Sequence, residues 1–222
     1  MTLTDAQQAE HIEVMTAICL SFHKKELPMI LKGGTALRLC YNLDRFSESL
    51  DFDCAKALNL DSTIKEIFAQ LGKGKSQLRN PTVDITKDTK TVRRYRITYG
   101  DGISLKLETS LRGTPDDKHL TELNGILTYK IDQLIKQKFG ALNGRTAARD
   151  LHDVIYLYEH FLNHFGKEEI AEIAALYDNQ SSILEEYTSA YSEDTVLSIS
   201  DLLEDLTKFI DLYDERRVTS VL

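Results

Sequence analysis

The sequence predicts an α+β chain, and three observations predict it. Up to about residue 113, short runs that alternate apolar and polar residues are interleaved with helical stretches. After Pro115, apolar residues recur at three- and four-residue spacing to the end. Early in the chain, Gly33-Gly34-Thr35 joins an apolar strand to a helix, and Asp51 and Asp53 then flank Phe52 in a second apolar run. The expected architecture is a sheet with flanking helices in residues 1–113 and a helical bundle in residues 114–222.

The elements follow in order. Thr4 and Gln7 have the spacing of a capping box, so a helix starts at once and runs to about Lys25. Pro28 opens a short strand that ends at Lys32, and Gly33 and Gly34 turn the chain into a helix over 35–42. A strand over 50–54 comes next, then a helix capped by Asp61 or Ser62 and reaching about Leu71. Gly72-Lys73-Gly74-Lys75-Ser76 reads as a loop. Strands are expected over 82–86, 92–99 and 103–110, with Gly100-Asp101-Gly102 as a hairpin turn. Helices are expected near 116–139, 146–163, 167–177, 180–191 and 199–215. Leu151, Val154, Ile155, Tyr158 and Phe161 form the apolar stripe of the second.

Composition narrows the class. With 42% hydrophobic and 28% charged residues, the chain has the balance of an ordinary globular protein. No apolar run is long enough to span a bilayer, and no signal peptide is visible, so no membrane association and a cytoplasmic location are expected. Cys19, Cys40 and Cys54 suit neither a disulfide framework nor a zinc site. The net charge of −8 argues against a general nucleic-acid binder, but the charge is uneven. Residues 166–222 hold 4 Lys/Arg against 14 Asp/Glu, a net of −10, which leaves +2 for residues 1–165. The acidic end is a solvated face or the partner of a basic protein surface.

The chemistry concentrates in two places. A glycine turn at a helix N-terminus can hold phosphate oxygens on backbone N–H groups, and it can also be no more than a tight strand-to-helix turn. Aspartate is a poor strand former, and carboxylates at 51 and 53 share one face, where a divalent cation would relieve their repulsion. Lys106 and Glu108 alternate with Leu105 and Leu107 and also share a face. Glu108 could complete a carboxylate triad and Lys106 could bind a phosphate; a cross-strand ion pair explains both equally well. Lys90, Arg93, Arg94 and Arg96 form a basic strand that could guide an RNA backbone or simply keep a hairpin soluble. In the helical part, Arg149 and Asp153 are four apart and can pair along their helix. His152 reads as a surface histidine more readily than as a ligand or base.

These residues together resemble the nucleotidyltransferases of the AbiEii/AbiGii toxin family, within the polymerase-β-like superfamily. The resemblance rests on Gly33-Gly34-Thr35-Ala36-Leu37, on Arg45-Phe46-Ser47-Glu48-Ser49-Leu50-Asp51-Phe52, on Lys138-Phe139-Gly140-Ala141-Leu142, on Arg145, and on Arg149-Asp150-Leu151-His152-Asp153. It covers residues 30–160. One position departs: the family pattern has Asp-Leu-Asp-Phe where this chain has Ser49-Leu50-Asp51-Phe52. A shift of two residues gives Asp51-Phe52-Asp53 as the pair, and positions 49, 51 and 53 share one strand face.

The resemblance implies a nucleotidyltransferase-like mixed sheet and a toxin that moves a nucleoside monophosphate from an NTP, with Mg²⁺ or Mn²⁺, to an RNA acceptor, tRNA foremost. It implies Asp51, Asp53, Glu108, Lys138 and Asp150 as catalytic residues, with Asp51, Asp53 and Glu108 on the metal. It implies nucleotide binding by Lys32, Gly33, Gly34, Thr35, Ser49, Lys106 and Lys138, and a cognate antitoxin protein as partner. Two alternatives stay open: transfer to a protein hydroxyl, and a nucleotide-binding regulatory module without turnover, which Ser49 motivates.

Overall fold

The computed structural model describes residues 3–113 and 115–219, with the side chains of 218 and 219 excepted. The chain divides into two compact units, Leu3–Lys130 and a second from Ile131 on. The division falls later than the expected 113/114, and Thr114, the first residue of the expected second part, lies outside the described residues.

The first unit opens with α1 (Asp5–Lys24), closed at its start by the expected box: Gln7 N donates to Thr4 Oγ1, and Thr4 N donates to Gln7 Oε1 at 3.0 Å. Then come β1 (Met29–Lys32), α2 (Gly33–Tyr41), β2 (Ser49–Cys54) and α3 (Asp61–Leu71). The start of α3 differs from expectation. Leu60 is the cap residue, Asn59 Oδ1 accepts from Asp61 N, and the Asp61 carboxylate pairs instead with Lys65 one turn on. β3 (Thr82–Asp88), β4 (Val92–Tyr99) and β5 (Ile103–Ser110) follow.

The larger difference lies at residues 120–129, expected to be helical. They form β6 (Leu120–Leu123) and β7 (Ile126–Tyr129), an antiparallel hairpin. Leu120, Leu123 and Ile126 mimic helical spacing, but Asn124 and Gly125 decide the outcome. Both take positive φ, 53° and 73°, as a two-residue hairpin turn requires.

All seven strands form one mixed sheet in the order β3-β4-β5-β2-β1-β7-β6. β2 pairs antiparallel with β1 and parallel with β5. Period-2 alternation gives the sheet two unlike faces. Leu50, Phe52 and Cys54 of β2, Tyr95, Ile97 and Tyr99 of β4, and Leu105 and Leu107 of β5 are buried on one face. α1 and α3 cover that face, with Phe22 against Phe52 at 5.6 Å and Phe68 against Tyr99 at 5.2 Å between ring centroids. The other face carries the polar residues of the same strands, including Ser49, Asp51 and Asp53, all part-exposed.

The second unit holds α4 (Ile131–Leu142), α5 (Ala148–Phe161), α6 (Lys167–Asp178), α7 (Gln180–Glu193) and α8 (Ile199–Thr219). The expected stripe Leu151, Val154, Ile155 and Tyr158 is buried, and Phe161 is half-buried. Among the described residues, no helix is long and apolar enough to cross a membrane.

Candidate active site

The polar sheet face is built by strand register. Lys32 of β1 lies opposite Asp51, Ser49 opposite Lys106, and Asp51 opposite Glu108. The glycine turn closes over this point. Gly33 adopts φ +71°, which an L side chain rarely takes, and a Cβ there would lie 3.8 Å from Asp51 Oδ2. Gly33, Ser49, Asp51 and Lys106 are therefore brought together. Ser49 Oγ donates to Asp51 Oδ2 at 3.2 Å, and Lys106 Nζ stands 3.7 Å from Asp51 Oδ1. The backbone N–H groups that open α2 are the ones a helix leaves without intrahelical partners.

Two residues of the expected phosphate cradle do something else with their side-chain space. Thr35 is buried; its hydroxyl donates to the Ser49 carbonyl and lies 2.7 Å from Ser47 Oγ. It ties α2 to the start of β2, and its side chain is turned inward. Gly34 is required by a neighbour: a Cβ would come within 2.6 Å of the Arg45 guanidinium, itself buried and donating from Nη1 to Phe46 O.

The other two expected metal carboxylates are engaged separately. Asp53 accepts from Lys32 Nζ at 2.6 Å and from the Tyr129 hydroxyl at 2.5 Å. Burial, then the Asp53 carboxylate, push the Tyr129 phenol up, so it keeps the proton it donates. Glu108 accepts from Arg94 Nε at 2.7 Å, the cross-strand ion pair that sequence spacing left as the alternative. Among the described residues, no three His, Cys, Asp or Glu side chains gather as a metal site. Asp51, Asp53 and Glu108 each face a different cation in this structure, Lys106, Lys32 and Arg94. The donor set still fits one hard divalent ion at Asp51, since Mg²⁺ commonly takes one or two carboxylates and completes its shell with water and substrate phosphates.

In the second unit, Lys138 of α4 is buried with its Nζ 3.2 Å from Asp150 Oδ1 and 2.5 Å from Asp153 Oδ2. Arg145 Nε donates to Asp150 Oδ2 at 2.7 Å. Asp153 serves Lys138, and Arg149 Nε reaches Asp194 of the α7–α8 connection at 2.9 Å. His152 is no surface residue. Its Nδ1 lies 2.9 Å from Asp205 Oδ2, which also accepts from the Tyr191 hydroxyl at 2.7 Å.

Sequence reasoning left Tyr129, Arg94 and Asp153 out of the site list and used Arg45 only as part of a pattern. The missed signal was register: Tyr129 ends β7, which pairs parallel with β1, and Arg94 faces Glu108 across β4 and β5.

Known proteins share the sequence family and the fold of this chain. JHP933 from Helicobacter pylori has a similar structure, with a TM-score of 0.78, 30% identity, and coverage of 99% of this chain and 98% of that one. A putative nucleotidyltransferase from H. pylori gives a TM-score of 0.74 at 31% identity, over 96% and 97%. MenT4, a nucleotidyltransferase toxin from Mycobacterium tuberculosis, shares the fold at 16% identity with a TM-score of 0.51, over 94% of this chain and 88% of that one. No curated sequence gives a significant match. The model of the nucleotidyl transferase AbiEii toxin family, described as a type IV toxin–antitoxin system, matches residues 14–214. The chain belongs to the AbiEii nucleotidyltransferase toxin family.

Proposed function

We propose that this chain transfers the nucleoside monophosphate of an NTP to an acceptor hydroxyl on RNA, tRNA foremost, in a reaction that depends on Mg²⁺ or Mn²⁺. One observation carries the reading: the Gly33 turn, opening α2, lies directly against Asp51 on an exposed polar sheet face. The first-turn N–H groups of Gly33, Gly34 and Thr35 offer donors to phosphate oxygens. Lys106, part-exposed beside Asp51, offers them a positive charge. Ser49 holds one oxygen of Asp51, and the other stands 3.7 Å from Lys106 Nζ. A divalent ion bound at Asp51 would neutralise charge on the phosphates. Lys32 and Tyr129 fix Asp53, and Arg94 fixes Glu108, beside Asp51. Attack of the acceptor hydroxyl on the α-phosphorus would break its bond to the β-phosphate, release pyrophosphate and pass the hydroxyl proton to one of these carboxylates.

Lys138 and Asp150 enter this reading through the family pattern. Their burial assigns them first to holding the helical unit together. A cytoplasmic location and a cognate antitoxin belong to the same proposal.

The test is incubation of the full chain with each α-labelled NTP, total RNA and a cell lysate, with Mg²⁺ or with chelator. Label should enter RNA only with metal, and Asp51→Ala should lower transfer about 100-fold or more while leaving thermal stability near that of the parent. Label that enters protein and never RNA overturns the acceptor. Full activity in Asp51→Ala overturns the site.

A further inference from the structure

We infer that the Lys32 ammonium is a built-in cation in the place of a second divalent ion, so that nucleotidyl transfer on this sheet face runs with one divalent ion, held at Asp51. The inference rests on the transfer reading and names the cations of that same site.

Strand order sets the geometry. β2, which carries Asp51 and Asp53, stands between β5 on one side and β1, then β7, on the other. Residues 51 and 53 share a face of β2, but their carboxylates take partners on opposite sides of it. Asp51 meets Lys106 of β5. Asp53 is drawn over β1: Oδ1 accepts from Lys32 Nζ at 2.6 Å, and Oδ2 accepts from the Tyr129 hydroxyl of β7 at 2.5 Å. Two-metal sites hold their ions roughly 3.5–4 Å apart, which calls for carboxylates that converge. Lys32 stands where they would converge. Its backbone lies opposite Asp51 in the β1–β2 ladder, and its ammonium ends on Asp53.

The two carboxylates differ in how readily they can take a metal ion. At Asp51 an incoming ion displaces a lysine that stands 3.7 Å away and is nearly half exposed. A loose, exposed pair of this kind is weak. At Asp53 it would have to displace a short ammonium contact and a short phenol contact together, on a side chain that keeps only 17% of its surface. Short charge-assisted hydrogen bonds are the strong ones. Charge balance points the same way. The three expected metal carboxylates meet three cations, so between them they carry no net negative charge with which to hold two divalent ions.

Lys32 is also placed to use its charge. It is the last residue of β1 and the cap residue of α2, immediately before the Gly33 turn whose N–H groups face the phosphates in the proposed reaction. An ammonium carries three donors on one compact charge. Asp53 takes one of them and holds the group in place, and two are left for phosphate oxygens. Tyr129 holds the other oxygen of Asp53, so the carboxylate that anchors Lys32 is itself anchored from β7.

The test is electron paramagnetic resonance of Mn²⁺ titrated into the full chain with NTP analogues, one for each base, that carry a methylene between the α- and β-phosphates. The parent should bind one Mn²⁺ per bound nucleotide, with the spectrum of an isolated ion. Lys32→Met releases Asp53 Oδ1 and should admit a second ion, seen as the signal of a spin-coupled pair. Lys32→Met combined with Asp53→Asn removes one charge of each sign and should return to a single ion with the parent's affinity. Asp51→Asn should weaken Mn²⁺ binding about tenfold or more. A coupled pair in the parent overturns the inference, as does a Lys32→Met variant that stays at one ion. Loss of the ion in the double variant also overturns it, because Asp53 would then be a ligand. Label transfer by the parent separates the two ideas. If the parent holds a coupled pair and transfers label, Lys32 is not the second cation and the reaction stands. If it holds one isolated ion and labels neither RNA nor protein, the reaction fails and the cation assignment stands.

Discussion

The two units use charged residues in opposite ways. On the sheet face of the first, Asp51 and Lys106 keep 33% and 46% of their side-chain surface exposed and meet at 3.7 Å. In the helical unit, Lys138 keeps 10%, Asp150 2% and Asp153 none, with the Lys138–Asp153 contact at 2.5 Å. An exposed, loose pair contributes little to stability and can exchange its partner for a ligand. A buried trio has paid desolvation once, and removing one member leaves the others as uncompensated charges. The same two residue types therefore mark a place for chemistry in one unit and a fastener in the other.

Lys138→Met breaks this comparison most directly. It leaves Asp150 and Asp153 buried without their shared ammonium, while Arg145 Nε stays on Asp150. Urea denaturation should show a loss of about 3–5 kcal/mol. Lys106→Met should cost less than about 1 kcal/mol in the same assay. If Lys138→Met costs no more than Lys106→Met, the helical trio is not a fastener, and Lys138 returns to the ligand-binding list.

Glycines sharpen the same contrast. Gly34→Ala drives a methyl to 2.6 Å from the buried Arg45 guanidinium and should cost about 1–3 kcal/mol, with transfer activity falling as the turn shifts. Gly140→Ala, inside α4 with nothing within 4 Å of the added methyl, should gain about 0.5–1 kcal/mol. Thermal melts of the two variants should move in opposite directions. Both glycines lie in segments that carry the family resemblance, so a shared direction would mean that the resemblance, and not the local space, governs them.

Much of this was legible in the sequence, and the exceptions share a cause. β4 and β5 begin and end where alternation predicts, and Gly33, Ser49 and Asp51 converge as their spacing suggested. What failed was information that only pairing supplies. Residues 120–129 carry apolar residues at helical spacing, and the Asn124-Gly125 turn outweighs it. Asp153 is also reached by a lysine on the preceding helix, a partner that spacing along its own helix cannot reveal. Glu108 was legible as either metal ligand or ion-pair partner, and register adds the Arg94 that stands opposite it. A strand pattern shows which residues share a face but not which strand stands next to it.

The smallest effect concerns a buried charge that the first unit avoids. His11 of α1 sits between the Glu48 carbonyl, 3.1 Å from Nε2, and the Tyr99 hydroxyl, 2.6 Å from Nδ1. Those partners suit a neutral ring with Nε2 donating and Nδ1 accepting. Burial pushes the His11 pKa below the ordinary histidine value; the Glu48 carbonyl and then its carboxylate oppose that shift more weakly. The unfolded chain therefore takes up the proton first as pH falls, and His11 stabilises the fold fully above pH 6.5 and progressively less below it. One proton limits the slope to about 1.4 kcal/mol per pH unit. Urea midpoints measured from pH 8 to pH 5 should fall through this range, and the His11→Phe variant should lose that part of the dependence. His11 holds the carbonyl of Glu48, immediately before Ser49, so acid should also loosen the start of β2. Backbone amide exchange at Ser49 and Leu50 that rises with acid in the parent but not in His11→Phe would tie the two together, and equal exchange in both would separate them.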